Sequence, residues 1–386
     1  MSNAPLKRLV SCVRQPSAAH LPYVGLEHVG SGTGRLLTDS ITEPIEAASA
    51  LDFQAGDVLF GKLRPYLAKS FLAEVRGCCS SEFLVLRTKS QLEQRFLSYV
   101  VQSQPFTEWA NATSDGAKMP RSDWEAIAAF DTWFPSCEGQ REIADLLDAQ
   151  TGLIDDLIDR KRRLIELLDE RWQFELSATF ASRDMQPFKR LLKERLAYGV
   201  LVPQPSGPDG VPMLRITDLA SGSVDLGSVA RIPSSQSSEY QRTVVRTRDI
   251  VVSVVGTLGR AMEIPPELDG CNLNRALARV QLRDEVPRSL IRFWFESQAF
   301  QAQAMRATDS DSAQRTLGLG DLQNFSVRIP SNPSSWTDIS KYLSDRGELM
   351  NKAKACLGRQ IDLLRIRRQA LIAAAVTGQI QIPGAA

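Results

Sequence analysis

The sequence predicts an α+β chain: two tandem mixed α/β units, separated by two long helices that pair antiparallel within the chain. Three observations carry this expectation. A long internal repeat runs through the chain, a heptad spacing recurs in one frame after each copy, and the two heptad segments carry opposite charge.

The repeat is visible as a series of short matches in common order. Pro5-Leu6-Lys7-Arg8-Leu9 returns as Pro187-Phe188-Lys189-Arg190-Leu191, and Asp57-Val58-Leu59 as Asp249-Ile250-Val251. Gly77-Cys78 answers Gly270-Cys271, and Ser103-Gln104-Pro105-Phe106 answers Ser297-Gln298-Ala299-Phe300. The offset drifts from 182 to about 196, as small loop insertions would cause. A repeat of this length indicates two copies of one structural unit.

Each copy ends in a helix. The spacing 4,3,4,3 runs through Ile143, Leu147, Gln150, Ile154, Leu157, Lys161, Leu164 and Leu168. An offset of 196 maps it onto Ile339, Leu343, Arg346, Met350, Ala353, Leu357, Gln360 and Leu364. Three or more heptads in a shared frame predict a coiled-coil seam, with Gln150 and Arg346 as its shared polar position. Pro135 precedes the first helix, Pro333 with Ser334 and Ser335 precedes the second, and Gly378 stops the second. About 40 residues at 1.5 Å each make rods of roughly 60 Å. Residues 140–172 hold nine acids and six bases, whereas residues 336–379 hold four acids and eight bases. Opposite flanks choose a partner, so the two helices are expected to pair with each other.

The units ahead of the helices read differently. Val58-Leu59-Phe60, Phe83-Leu84-Val85-Leu86, Ile250 to Val255 and Ala278 to Leu282 read as strands punctuated by Gly and Pro. Helical patterns follow around 91–110 and 288–306. The expected organisation is a first unit over 1–138, a helix over 139–182, a second unit over 183–334 and a last helix over 335–382.

Composition narrows the function classes. Of 386 residues, 43% are hydrophobic and 24% charged, and 46 bases against 45 acids leave a net charge of +1, which suits a soluble chain without a polybasic or polyacidic tail. No apolar run is long enough to cross a membrane, and the N-terminus has no signal-like apolar stretch, so a cytoplasmic protein is expected. The cysteines at 12, 78, 79, 137, 271 and 356 form no C-x-x-C, and only His20 and His28 accompany them, so no zinc site is expected.

Catalytic motifs are missing. Gly56 to Lys62 fits G-x-x-x-x-G-K, but Leu63 follows where a magnesium-binding hydroxyl belongs, and the intervening residues read as a strand. Asn332-Pro333-Ser334-Ser335 lacks the second Pro and the aromatic of an amino-methyltransferase motif and reads better as a helix cap. No G-x-G-x-x-G opens a βαβ unit, and neither His serves a Ser or Cys nucleophile. The chain reads as a binder without catalytic residues.

The first copy's run Gly56-Asp57-Val58-Leu59-Phe60-Gly61-Lys62-Leu63-Arg64-Pro65-Tyr66-Leu67-Ala68-Lys69, followed by Cys78 to Arg87, resembles the target-recognition domain of type I restriction–modification specificity subunits. Lys118-Met119-Pro120-Arg121 ahead of Trp124, Gln140-Arg141-Glu142-Ile143-Ala144 and Ala375-Val376-Thr377-Gly378-Gln379-Ile380 extend the resemblance over essentially the whole chain. The second copy diverges, with Val254 to Arg260 in place of the Lys/Arg/Tyr run. The resemblance implies two target-recognition domains that read double-stranded DNA at a split, asymmetric target. It implies two methyltransferase subunits and a restriction/translocase subunit as partners. S-adenosylmethionine, ATP and magnesium would be held by those partners, with no cofactor or metal in this chain. A helix pair would serve as a ruler between half-sites about one helical turn, some 34 Å, apart.

Candidate contacts follow from side-chain chemistry. Lys62, Arg64 and Tyr66 alternate after a strand and share one face if extended, and Lys69 follows. Lys118 and Arg121 lie in a Gly/Ser/Asp loop. In the second copy Thr257, Arg260, Gln314 and Arg315 occupy matching places, and Asn272, Asn274 and Arg275 follow the Gly-Cys match. Lys and Arg suit phosphates, Arg reads guanine, and Asn or Gln reads adenine. The tryptophans at 109, 124, 133, 294 and 336 are expected in packing rather than base stacking. Three alternatives stand beside this reading: a subunit of a related methyltransferase–nuclease or methylation-based defence system, a coiled-coil scaffold without DNA reading, and a stand-alone enzyme.

Overall fold

The computed structural model describes residues 2–17, 21–37, 50–182, 184–219, 224–308, 315–330 and 332–380. The chain forms two compact units, Met1–Arg162 with Gly358–Ala386, and Arg163–Leu357.

The first unit is built on two small sheets and a separate two-stranded pair, Ser2–Pro5 with Asp131–Phe134. Its strands are β1 (Ser2–Pro5), β2 (Val10–Val13), β3 (Tyr23–Val24), β4 (Leu51–Phe53), β5 (Val58–Gly61), β6 (Ser70–Leu72), β7 (Gly77–Cys79), β8 (Phe83–Thr88) and β9 (Asp131–Phe134). A four-stranded antiparallel sheet runs β2-β8-β5-β6, with Val58 opposite Leu86 and Leu72. A second sheet runs β3-β7-β4, in which β3 and β7 are parallel. The alternation of β5 supplies both faces. Val58 and Phe60 pack with Phe96 of α1 (Gln94–Gln102) and Phe106 of α2 (Gln104–Ala112), while Leu59 packs with Phe71, Phe83 and Val85. Glu93 caps α1, its carboxylate accepting from the Phe96 N–H at 2.7 Å.

The second unit repeats this plan. It contains β10 (Met185–Pro187), β11 (Ala197–Tyr198), β12 (Val211–Leu214), β13 (Arg231–Ile232), β14 (Ile250–Ser253), β15 (Ala261–Glu263), β16 (Asn272–Leu273), β17 (Leu277–Val280) and β18 (Ser326–Arg328). The sheet order β11-β17-β14-β15 matches that of the first unit, and the parallel pair recurs as β12 with β16. An ion pair on a buried Asp recurs as well. Arg87 holds both oxygens of Asp57 at 2.7 Å, and Arg279 Nε donates to Asp249 at 2.6 Å. The repeat is therefore one of hydrogen bonds and not only of letters.

Each copy is followed by a 43-residue helix, Cys137–Thr179 and Ser334–Val376, here α3 and α6, with α4 (Arg288–Glu296) and α5 (Gln298–Ala307) between them. Within each unit the long helices run antiparallel. In the first, Lys161 donates to Gln360 and Arg368 pairs with Asp155. Ile143 and Leu147 share a core with Ile372 and Ala375. In the second, Lys354 donates to Asp169 and Arg346 to Glu175, while Leu176 and Phe180 share a core with Trp336 and Leu343.

The seam is phased differently from the expected one. Leu147, Ile154, Lys161 and Leu168 face inward as expected, but Gln150, Leu157 and Leu164 are exposed. Thr151, Ile158 and Ile165 take their places. The same one-residue correction holds on α6, where Gly347, Lys354 and Ile361 replace Arg346, Ala353 and Gln360 in the inward row. Ala353 is itself half-buried beside that row. Leu and Ile are adjacent at both 157–158 and 164–165, so either frame satisfies an apolar heptad. Packing selects the one that meets the partner helix. Gln150 is thus solvated, and Arg346 lies at the seam edge holding Glu175.

Candidate nucleic-acid interface

In each unit two loops are stitched edge to edge. After β5, the Lys62 N–H donates to Glu82 O at 2.9 Å and the Arg64 N–H to Pro120 O at 2.7 Å. The Ser122 N–H returns to Lys62 O at 2.9 Å. After β14, the Val254 N–H donates to Ala276 O at 2.8 Å, the Gly256 N–H to Arg315 O at 2.8 Å, and the Leu317 N–H to Val254 O at 2.8 Å. The ladders coincide bond for bond, so Arg64 corresponds to Gly256, Pro120 to Arg315 and Lys69 to Arg260. Arg121 has Thr316 as its counterpart, one residue beyond the Arg315 position.

The backbone repeats in conformation as well. Arg64 and Ala68 have φ of 51° and 47°, and their counterparts Gly256 and Gly259 have 74° and 79°. Glycine adopts this region freely, whereas a branched chain at φ above zero is strained. The second copy meets the requirement with Gly, and the first keeps side chains there. Retention of a long cation in a strained place is the kind of outlier that marks functional sites.

The loop geometry decides which side chains reach water. Arg64 and Tyr66 are exposed, Tyr66 by 55%, while Lys62 and Lys69 are half-buried. Pro65–Leu67 form a 3-10 turn, so the expected extended alternation of Lys62, Arg64 and Tyr66 is absent. Lys69 Nζ donates to Leu26 O at 2.6 Å, which turns its ammonium inward. Lys118 is exposed. Arg121 is exposed and donates to Glu82 at 2.8 Å, in a turn where Asp115 and Arg121 exchange both backbone hydrogen bonds. Glu82 was not among the expected site residues. It lies in the short Ser80-Ser81-Glu82 turn between β7 and β8, where no neighbouring charge marks it in the sequence.

In the second unit Thr257, Arg260, Arg275 and Arg315 are exposed. Asn274 is half-buried and accepts from the Ala276 N–H at 3.0 Å. Asn272 is corrected out of the interface. It is fully buried, its Oδ1 accepts from Thr243 Oγ1 at 2.7 Å, and its Nδ2 donates to Ser237 Oγ at 3.1 Å. A buried amide with its partners filled is structural. Gln314 lies outside the described residues.

No metal centre accompanies these loops: among the described residues no group of three His, Cys, Asp or Glu could hold an ion. Burial pushes the Cys79 thiol up to about 12 and that of Cys271 up to about 11, which leaves both protonated and unreactive at neutral pH. No described helix is long and apolar enough to cross a membrane.

The chain is 27% identical over 227 residues to the type I restriction enzyme EcoBI specificity subunit of Escherichia coli, covering 51% of this chain and 47% of that protein. It is 25% identical over 142 residues to the EcoDI specificity subunit of the same organism, covering 35% of this chain and 30% of that protein. The chain is a relative of the type I specificity subunits. The matched stretches span about half the length of the first relative and less of the second. No protein-family model matches the chain. The fold of this specificity-subunit relative is shared more widely than its sequence. A chain in a structure of type I R-M complex assembly superposes with a TM-score of 0.76 over 98% of both chains at 19% identity. The HsdS subunit from Thermoanaerobacter tengcongensis superposes with a TM-score of 0.53 over 98% of this chain and 97% of its own, also at 19% identity. The tryptophans of this chain are packing residues: Trp294 and Trp336 are buried, Trp124 and Trp133 pack against the first core, and Trp109 lies edge-on to Phe130 with its Nε1 donating to Ala126 O.

Proposed function

We propose that the chain is the DNA-reading specificity subunit of a type I restriction–modification complex. It binds double-stranded DNA at a bipartite, asymmetric target and directs methylation or cleavage by partner subunits. One observation carries this reading: two stitched loops of the same backbone geometry present different side chains, Arg64, Tyr66, Lys118 and Arg121 in one unit against Thr257, Arg260, Arg275 and Arg315 in the other. Equivalent platforms with unequal chemistry suit two unlike half-sites. Exposed Arg and Lys suit phosphates and guanine edges.

The partners are two methyltransferase subunits and a restriction/translocase subunit, and these hold S-adenosylmethionine, ATP and magnesium. Exposed apolar side chains on the long helices support partner docking: Leu153 and Ile366 in the first unit, Phe174 and Leu349 in the second. The experiment is a selection from randomised duplex DNA with the complex purified through a tag on this chain. Two enriched blocks with an unread spacer are expected. Arg64→Ala or Arg121→Ala should blur one block and Arg260→Ala or Arg315→Ala the other, each with about 1–3 kcal/mol lost if it reads a base. Enrichment unchanged by all four substitutions would refute the placement of the DNA face, and no enrichment would refute DNA reading.

A further inference from the structure

In the first unit a charged pair interrupts the apolar helix seam. The Arg368 side chain on α6 is 7% exposed, and its Nε lies 3.1 Å from the Asp155 carboxylate on α3. Arg35 approaches the same carboxylate at 3.2 Å. A buried ion pair adds little to stability by itself, because desolvation offsets the attraction. The remaining donors of Arg368 are what distinguish this one. Nη1 donates to Gly32 O at 3.1 Å, and Nη2 donates to Thr33 O at 2.8 Å and to Gln102 Oε1 at 3.4 Å. One guanidinium therefore grips α3, α1 and a loop together.

That loop lies directly behind the cationic face. Ser31 bridges to Lys69, the Gly32 N–H donates to Ala68 O at 3.2 Å, and Lys69 Nζ reaches back to Leu26 O. Two links thus join the buried guanidinium to Ala68 and Lys69, the end of the strained Arg64–Lys69 segment. Among the described residues, the helix seam of the second unit lacks this charged pair. The offset of 196 places Asn351 where the first unit has Asp155, and Trp172 where it has Arg368. These two uncharged residues line a groove of about 880 Å³ that also takes in Thr257 and Arg260.

We propose that Arg368, fixed by Asp155, is a positioning residue for DNA reading by the first unit alone. It sets the place of the Arg64–Lys69 loop through the carbonyls of Gly32 and Thr33. This rests on the DNA-reading role proposed above. Without the guanidinium, Thr33 O loses its donor, Gly32 O keeps only the long contact from Gln369 Nε2 at 3.5 Å, and the Asp155 carboxylate loses its buried counter-charge, so the least costly relief is for the loop to move toward water. Base readout does not tolerate such a shift, because contacting groups must be held within about 0.5 Å.

The test uses the full chain in its purified complex and the randomised duplex pool, with Arg368→Ala, Arg368→Lys and Asp155→Asn. Arg368→Ala should weaken binding to the wild-type consensus about tenfold, the scale of one misread base pair. The loss should fall on the block that Arg64→Ala blurs. Arg368→Lys should recover part of it, since one ammonium can reach a carbonyl but not span the fork. The slope of log affinity against log salt should stay at the wild-type value, because no phosphate contact is removed. Asp155→Asn keeps the shape of the site and carries the test if Arg368→Ala fails to assemble. Wild-type affinity and motif in both Arg368→Ala and Asp155→Asn would overturn the proposal while leaving DNA reading intact. Equal loss on both blocks would also overturn it. A wild-type complex that enriches no sequence would overturn the DNA-reading role, and this inference with it.

Discussion

The Arg64 N–H donates to the carbonyl of Pro120 at 2.7 Å while Arg64 itself sits at φ 51°. The hydrogen bond needs this backbone conformation, and the conformation does not need the side chain, since Gly256 makes the equivalent bond to Arg315.

This separates structure from function at one position. Arg64→Gly should leave the fold as stable or up to about 1 kcal/mol more stable, because the left-handed strain is relieved. Arg64→Ala keeps the strain and should fall within about 0.5 kcal/mol of wild type. Both should weaken DNA binding alike. Denaturant midpoints with binding titrations check this, and undiminished binding by Arg64→Gly would remove Arg64 from the interface.

The seam phase has its own test. Ile158 is 5% exposed and Leu157 is 45% exposed. Ile158→Ala should cost about 2–5 kcal/mol, whereas Leu157→Ala should cost about 0.5 kcal/mol or less. Equal costs, or the reverse order in urea unfolding, would restore the frame expected from the sequence.

Helix pairing in the second unit should weaken in acid. Arg346, and behind it Arg171, holds the Glu175 carboxyl below its ordinary range, and Tyr342 interacts with Arg346. A lowered folded pKa contributes stability that is fully present above the unfolded value and is lost as pH falls through the folded one. Glu175→Gln should lower the melting temperature at neutral pH and flatten its fall below the usual carboxylate range. A melting curve whose acid limb is unchanged by the substitution would contradict this.

The isolated chain should transfer no methyl group and cut no DNA, since no described cluster could hold a metal and no donor-binding motif is present. Labelled methyl donor and plasmid substrate, with a mock preparation as baseline, give the measurement. Transfer above that baseline would require a catalytic site in this chain.

Much of the architecture was legible from the letters. Matches such as Asp57-Val58-Leu59 with Asp249-Ile250-Val251 announced a duplicated unit, because an Asp that caps a turn and holds an Arg recurs wherever the unit does. Heptad spacing and opposite charge announced two helices that pair, because those properties are periodic along one chain. Tertiary structure alone decided the rest. Leu157 and Ile158 are equally apolar, so only the partner helix could choose between them. Asn272 has the chemistry of an adenine reader, but Thr243 and Ser237 use its amide in the interior. Arg368 resembles its neighbours in a basic helix, and Asp155, Gly32 and Thr33 single it out from far along the chain. Local sequence encodes periodicity and propensity. Which face is buried, and which polar groups find partners, depends on residues brought together only by folding.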